Sequence, residues 1–252
     1  MIWDELTSDE LSRIDSNIPV ILPVAATEQH GLHLPLATDR IIGEFFVHRI
    51  HEILKDQVLI LPAIAVGCSE HHLEFSGTLS VTHETLLQQM TDIFVSVKAH
   101  GFVNFVLFNS HGGNQAIGHV FREKIGYRHQ EIKLHLMTWW QIAHRELLEI
   151  TETGFGGTGH ACEFETSLML HIRPDMVRME KIEKGYPNPS YDWAKHDMLH
   201  APKVSTFATF KQMTKKGTFG DPTLSSAEKG LRIVRCVIET CTKVLSDIAQ
   251  SR

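Results

Sequence analysis

Cysteine is scarce in this sequence: of 252 residues only four are cysteine, Cys68, Cys162, Cys236 and Cys241, and no two stand in Cys-x-x-Cys spacing. That argues against a disulfide framework or a thiolate zinc knuckle, and reduced thiols are the simplest reading. Long apolar runs are missing as well. No stretch approaches the roughly 18 residues of a membrane span, and Met1 to Leu6 lacks the basic, apolar pattern of a leader. The expectation is a cytoplasmic protein with no membrane partner. Positive charge is in the minority, 24 Lys and Arg against 30 Asp and Glu, and no basic stripe appears. Nucleic acid is therefore not an expected partner. Repeats, linkers and low-complexity tracts are also lacking.

What the chain does have is histidine, 17 of them, some set beside carboxylates directly after apolar runs. The run Val20 to Val24 reads as a buried strand, and Glu28, His30, His33 and Asp39 follow it. Open α/β sheets place ligands at this end of their strands. Glu28 and His30 are two apart, so in extended chain both side chains point the same way. A second apolar run, Phe102 to Asn109, leads into Ser110-His111-Gly112-Gly113-Asn114. There the glycines allow a tight turn, and Asn109 or Asn114 can orient the imidazole or cap the next helix.

The third segment is His160-Ala161-Cys162-Glu163-Phe164-Glu165-Thr166-Ser167. If it is helical, His160 and Glu163 share a face at i, i+3 while Glu165 lies on another side. Glu163 is accordingly the expected ligand, with Glu165 behind it or serving as a helix-start charge. Cys162 is expected to be a small buried packing residue.

Together these segments resemble the creatininase family of metal-dependent amidohydrolases, and the resemblance covers nearly the whole chain. Its anchors are Glu28-Gln29-His30-Gly31-Leu32-His33-Leu34-Pro35 with Asp39, then Asn109 to Asn114, then His160 to Ser167. The stretches Ser69 to Thr78 and Gly220 to Leu224 are similar to the family more weakly. The resemblance implies two divalent metal ions per chain, Zn²⁺ and/or Mn²⁺ with Fe²⁺ as a further candidate. Position by position, Asp39 would bridge the ions, Glu28 and His111 would serve one, and His30 and Glu163 the other. A metal-bridging hydroxide would attack an amide carbonyl, and His160, beside Glu163, would be the acid/base that protonates the leaving nitrogen. A homo-oligomer, such as a hexamer, is implied too.

Two departures temper the substrate. The resemblance places a glutamate in creatininases two residues after the histidine matching His111, where this chain has Gly113, and a glycine where it has Cys162. A small cyclic amide or a formamide is expected rather than creatinine itself. A peptidase acting on a modified peptide, a non-catalytic metal-binding protein and a mononuclear lyase or isomerase remain as alternatives. Around the centre, His33 and His72 are candidates for the substrate pocket, as are Trp139 and Trp140, whose competing explanation is core packing.

The remaining pattern is α/β. Strand candidates Val20 to Val24, Val58 to Leu61, Phe102 to Phe108 and Lys133 to Met137 alternate with helical stretches, which predicts a mainly parallel sheet. In creatininase-like form this is a three-layer α/β/α sandwich. Helices are expected over Asp39 to Leu54, with Ile42, Phe46, Ile50 and Ile53 on one face, and over His83 to Ala99. The closing helix, about Ser226 to Ala249, should start at a Ser225/Glu228 capping box and carry a stripe of Leu231, Val234, Ile238, Cys241, Leu245 and Ile248. Residues 1–252 are expected to be one domain. Between about 174 and 224, Pro174, Pro187, Pro189, Pro202 and Pro222 break the pattern, which reads as a loop-rich insertion that helps shape the pocket.

Overall fold

Apolar residues fill every position of the first strand, β1 (Pro19–Val24), and the four inner positions of β3 (Asn104–Asn109), as strands buried on both faces require. The computed structural model describes residues 1–188 and 191–250, so Pro189 lies outside the described residues. In chain order the elements are α1 (Ser8–Leu11), β1, α2 (Thr38–Leu54), β2 (Leu59–Ile60), α3 (His83–Ala99), β3, α4 (Gln115–Arg128), β4 (Lys133–Thr138), α5 (Trp139–Ile142) and α6 (His144–Ile150). They continue with β5 (Thr158–His160), α7 (Glu163–Ile172), α8 (Phe210–Met213), β6 (Phe219–Gly220) and α9 (Ala227–Gln250).

The strands β2-β1-β3-β4 form one parallel sheet in that order, and β5 and β6 form a small antiparallel pair. Pro23 is tolerated in the central strand because β2 stops at Ile60. The ring nitrogen faces the side where that neighbour has ended, and the Pro23 carbonyl still accepts from Ile64 N–H at 2.9 Å.

The side chains of β1 and β3 alternate between two cores. Val20, Leu22, Phe105 and Leu107 pack with α3 and α4, whereas Ile21, Val106 and Phe108 pack with α2, α5, α6, α7 and α9. That is the expected three-layer α/β/α sandwich.

The expected helices hold, with local corrections. Ile53 does not join the face of Ile42, Phe46 and Ile50; it is exposed, and Val47 and Leu54 are buried in its place. On α9 the buried stripe is wider than expected, adding Ile233 and Val237, while Leu231 is only partly covered. Its amino terminus is capped by Ser226, whose hydroxyl accepts from Lys229 N–H at 3.1 Å; Ser225 instead donates to the Glu163 carbonyl at 3.0 Å. A Cβ on Gly230 would come 2.1 Å from the Ser167 carbonyl, so a glycine is needed for α9 to lie this close to α7. Among the described residues from 174 to 224, no strand or helix exceeds four residues.

Candidate metal centre

The two central strands of the large sheet, β1 and β3, deliver their polar residues at the same edge. After β1 come Glu28 and His30, after β3 comes His111, and His160 closes β5 of the small sheet. Asp39 enters from the first turn of α2. Glu165 enters from the first turn of α7. All six side chains are buried, as is His72, and the donor atoms of the seven gather in three overlapping groups: Glu28, Asp39 and His111; Glu28, His72 and His160; His30, His160 and Glu165.

Asp39 stands at the centre of this cluster. Its Oδ1 is 3.1 Å from His30 Nε2, and its Oδ2 is 3.0 Å from His111 Nδ1. Glu28 Oε1 lies 3.3 Å from His111 Nδ1, and Glu165 Oε1 lies 3.9 Å from His30 Nε2.

The far sides of the two imidazoles decide what the near sides offer. His30 Nδ1 is 3.1 Å from the Glu28 carbonyl, and His111 Nε2 is 3.0 Å from the Cys68 carbonyl. A carbonyl only accepts, so each of those nitrogens carries the proton, and a neutral ring then turns a bare lone pair towards a carboxylate oxygen. Lone pair facing lone pair repels unless a cation stands between them. Carbonyl partners of this kind are also what orient metal-binding histidines. Glu28 Oε1 and Oε2 and Asp39 Oδ2 are buried oxygens without hydrogen-bond partners, which fits the same need. The donor set of carboxylates and imidazoles therefore suits a divalent cation.

With protons in place of cations the electrostatics agree. Burial pulls His30 down, yet Asp39 and Glu165 override it and raise its pKa to about 9. His111 is also raised well above its ordinary value, against burial, by Glu28 and Asp39. Burial pushes Asp39 and Glu28 up, but the histidines hold both below the usual carboxylate range. Glu165 is the exception: burial, aided by Asp39, lifts it to about 7 despite His30.

Glu163 is outside this cluster, and the expected assignment of the two glutamates is corrected. Its carboxylate accepts from Thr151 Oγ1 at 2.9 Å, Thr153 Oγ1 at 2.5 Å and Glu152 N–H at 2.9 Å, and pairs with Lys229 of α9. The cause lies in the preceding residues. His160 ends a strand, Ala161 turns with φ of 50°, and the helix starts only at Glu163, so His160 and Glu163 never share a helical face. That turn brings Glu165 Oε2 within 2.5 Å of Ala161 N–H and aims its carboxylate at the cluster. Cys162 is fully buried in the core, as expected.

The remaining candidates divide. A cavity of about 500 Å³ opens on Glu28, Asp39, His111, His160 and Glu165, with His72 and Trp140 in its wall. Trp139 packs against Phe46 in the core, at a centroid distance of 5.9 Å. His33 is buried away from that wall; its Nε2 is 2.8 Å from Thr166 Oγ1, tying the first loop to α7. Asn109 and Asn114 act indirectly. Asn109 brackets the backbone of His111, and Asn114 accepts from Cys68 N–H, the residue whose carbonyl holds His111.

The pocket also uses His71, Phe210, Met213 and residues 196–202, which the sequence did not single out. Phe210 stacks on His72, with centroids 3.9 Å apart. Gly113 leaves no room for a side chain, since a Cβ there would lie 2.1 Å from the Cys68 carbonyl and 2.4 Å from His111 Nε2.

Buried carboxylates and imidazoles converging on the carboxyl edge of a parallel sheet place the chain among α/β proteins shaped to hold divalent cations. The chain belongs to the creatininase family, whose profile, described as creatinine amidohydrolase, matches residues 4–245. The relatives it matches are named as hydrolases and a peptidase. A mycofactocin precursor peptide peptidase of Mycobacterium tuberculosis is 31% identical over 248 residues, covering 95% of this chain and 89% of the relative. A creatinine amidohydrolase of Pseudomonas putida is 27% identical over 244 residues, covering 90% and 87%. A solved structure of manganese creatininase shares the fold at a TM-score of 0.81 and 24% identity, covering 99% of each chain.

Proposed function

We propose that this protein is a binuclear metal-dependent amidohydrolase that cleaves the carbon–nitrogen bond of a small cyclic amide or a formamide. The observation that carries the reading is Asp39, whose two oxygens face two different imidazoles. Asp39 would be shared by two ions, with Glu28 and His111 completing the protein donors of one, and His30 and Glu165 those of the other. Nitrogen and oxygen donors of this kind suit Zn²⁺ or Mn²⁺, and Fe²⁺ is compatible. When bound, such ions acidify a water for attack and polarise the scissile carbonyl.

The chain's own residues supply the rest. His160 Nε2 is 2.6 Å from the Gln29 carbonyl, so that nitrogen carries the proton and Nδ1 faces the cluster, 3.6 Å from Glu28 Oε1. Burial and the neighbouring charge of His30 hold its pKa at about 3, so at neutral pH the imidazole is neutral with a lone pair at Nδ1; as acid/base it would take up there the proton released by the attacking water. It then returns that proton to the leaving nitrogen, without which an amide does not break. Trp140, Phe210 and Phe219 give the cavity apolar walls that exclude water around the reacting bond. Creatinine is disfavoured as substrate because position 113 offers no carboxylate.

One observation favours a second reading, a peptidase acting on a modified peptide. A further cavity of about 610 Å³, lined by Phe155, Tyr186, Tyr191 and Phe207, shares His196 and Met213 with the first and leaves room for a longer chain. The peptidase relative supports it. Screening metal-loaded protein against cyclic amides, formamides and short peptides separates the readings. Amine release from the first two classes is the expected result; cleavage of peptides alone would favour the second, and two bound ions with no turnover would leave a metal-binding protein. The exposed Tyr186, Tyr191 and Phe207 also support a homo-oligomer, which a monomer in sedimentation would contradict.

A further inference from the structure

Gln29 touches neither Asp39 nor Glu165, yet it is almost wholly buried between two histidines of the site. Its amide orientation is settled by two backbone groups. Oε1 accepts from Gly31 N–H at 3.0 Å, and Nε2 donates to the Gly217 carbonyl at 3.2 Å. The second amide hydrogen points at His72 Nδ1, 2.8 Å away. Both hydrogens are thereby used, so the approach of Gln29 Nε2 to His160 Nε2 at 3.1 Å adds no hydrogen bond.

The consequence runs from ring to ring. His72 receives a hydrogen at Nδ1, so in its neutral form the proton sits on Nε2, which lies 3.3 Å from Glu28 Oε1. Phe210, stacked on the ring, holds its plane. The backbone carbonyl of the same Gln29 takes the Nε2 proton of His160.

We propose that Gln29 is a positioning residue of the metal centre: it sets the tautomers of His72 and His160 together, so that His72 turns an N–H, not a lone pair, towards Glu28 Oε1 and is not a metal ligand. This inference rests on the metallohydrolase reading. His72 falls in one of the donor groups by distance alone, and the Gln29 amide is what removes it from the ligand set. Gly217 belongs to the same device. Its φ is 87°, and a Cβ there would sit 1.8 Å from Gln29 Oε1, so the chain leaves that position bare to admit the amide.

The test is long-range ¹H–¹⁵N correlation on protein labelled at histidine and loaded with zinc, with the His72 and His160 signals assigned from His72→Gln and His160→Gln. The expected result is an Nε2–H tautomer for both rings. In Gln29→Glu a carboxylate replaces the donor, and His72 should then carry a proton on Nδ1, while His160 keeps its tautomer because its partner is a backbone carbonyl.

A second measurement guards against misfolding. In competition with a chromophoric zinc chelator, Gln29→Glu and Gly217→Ala should weaken binding roughly ten- to a hundredfold, the usual range for losing such a support. His72→Gln, which can restore an N–H towards Glu28, should recover more affinity than His72→Leu. An Nδ1–H tautomer of His72 in the wild-type protein would overturn the inference, as would zinc affinity within twofold across the variants. Wild-type protein that takes up no zinc would instead overturn the metallohydrolase reading, so the two failures are distinct.

Discussion

Glu163 and Glu165 stand two residues apart on one helix and live in different chemistry. Glu163 faces α9 among hydroxyls, an amide N–H and the buried ammonium of Lys229; Glu165 faces the sheet edge, near a raised histidine and another carboxylate. Two helical positions are about 200° apart, so they must serve opposite sides. The first environment satisfies its carboxylate completely with protein donors. The second crowds carboxylates against imidazole nitrogens, a conflict that a proton or a metal cation between them relieves. Completeness of hydrogen bonding separates a structural glutamate from a candidate ligand here.

Exchanging the roles of the two glutamates is the sharpest way to break this comparison. Glu165→Gln is expected to cut turnover at least a hundredfold with little change in the apo melting temperature. Glu163→Gln should keep turnover within a few-fold but destabilise the fold by about 3 kcal/mol, the low end for a broken buried pair, because Lys229 keeps Glu152 and the Leu224 carbonyl. Activity assays beside thermal melts decide it, and a loss of activity in Glu163→Gln at an unchanged melt would reverse the assignment.

The next effect depends on pH. In apo protein the pKa of His30 is raised to about 9 from 6.5. A raised folded-state value contributes stability that is fully present below 6.5 and is lost as pH climbs through about 9. Cations compete for the same lone pair, so metal affinity should rise over that window. Melts of chelator-treated protein should fall from pH 6.5 to 9 while the gap to zinc-loaded protein widens. A gap that narrows with pH would contradict the shared site.

Smaller effects are expected away from the contested groups. Gly113→Ala should cost about 1–3 kcal/mol, the usual penalty of overpacking, and should weaken metal binding, since the new methyl pushes His111 off the Cys68 carbonyl. His33→Ala should cost about 1 kcal/mol for its bond to Thr166 and leave KM unchanged, which a kinetic titration would show.

Much of this was legible in the sequence because strands buried on both faces announce themselves as apolar runs. Glu28, His30 and His111 follow such runs closely, and the structure brings their side chains near Asp39 of α2. The third segment misled for a local reason: counting from a helix start at His160 puts Glu163 in front, whereas Ala161 takes a left-handed turn that no propensity signals. His72 and Gln29 meet across 43 residues, and residues 196–202 reach the cavity from a stretch with no periodicity. Contacts of that range are set by tertiary packing, so only their chemistry, not their meeting, was visible beforehand.

Metal content per chain, by plasma mass spectrometry on protein purified without added metal or chelator, tests the central claim most directly. Two equivalents in the wild type and in Glu163→Gln, about one in Glu165→Gln and almost none in Asp39→Ala are predicted. One equivalent or none in the wild type, or two retained in Asp39→Ala, would contradict a centre in which Asp39 is shared by two ions.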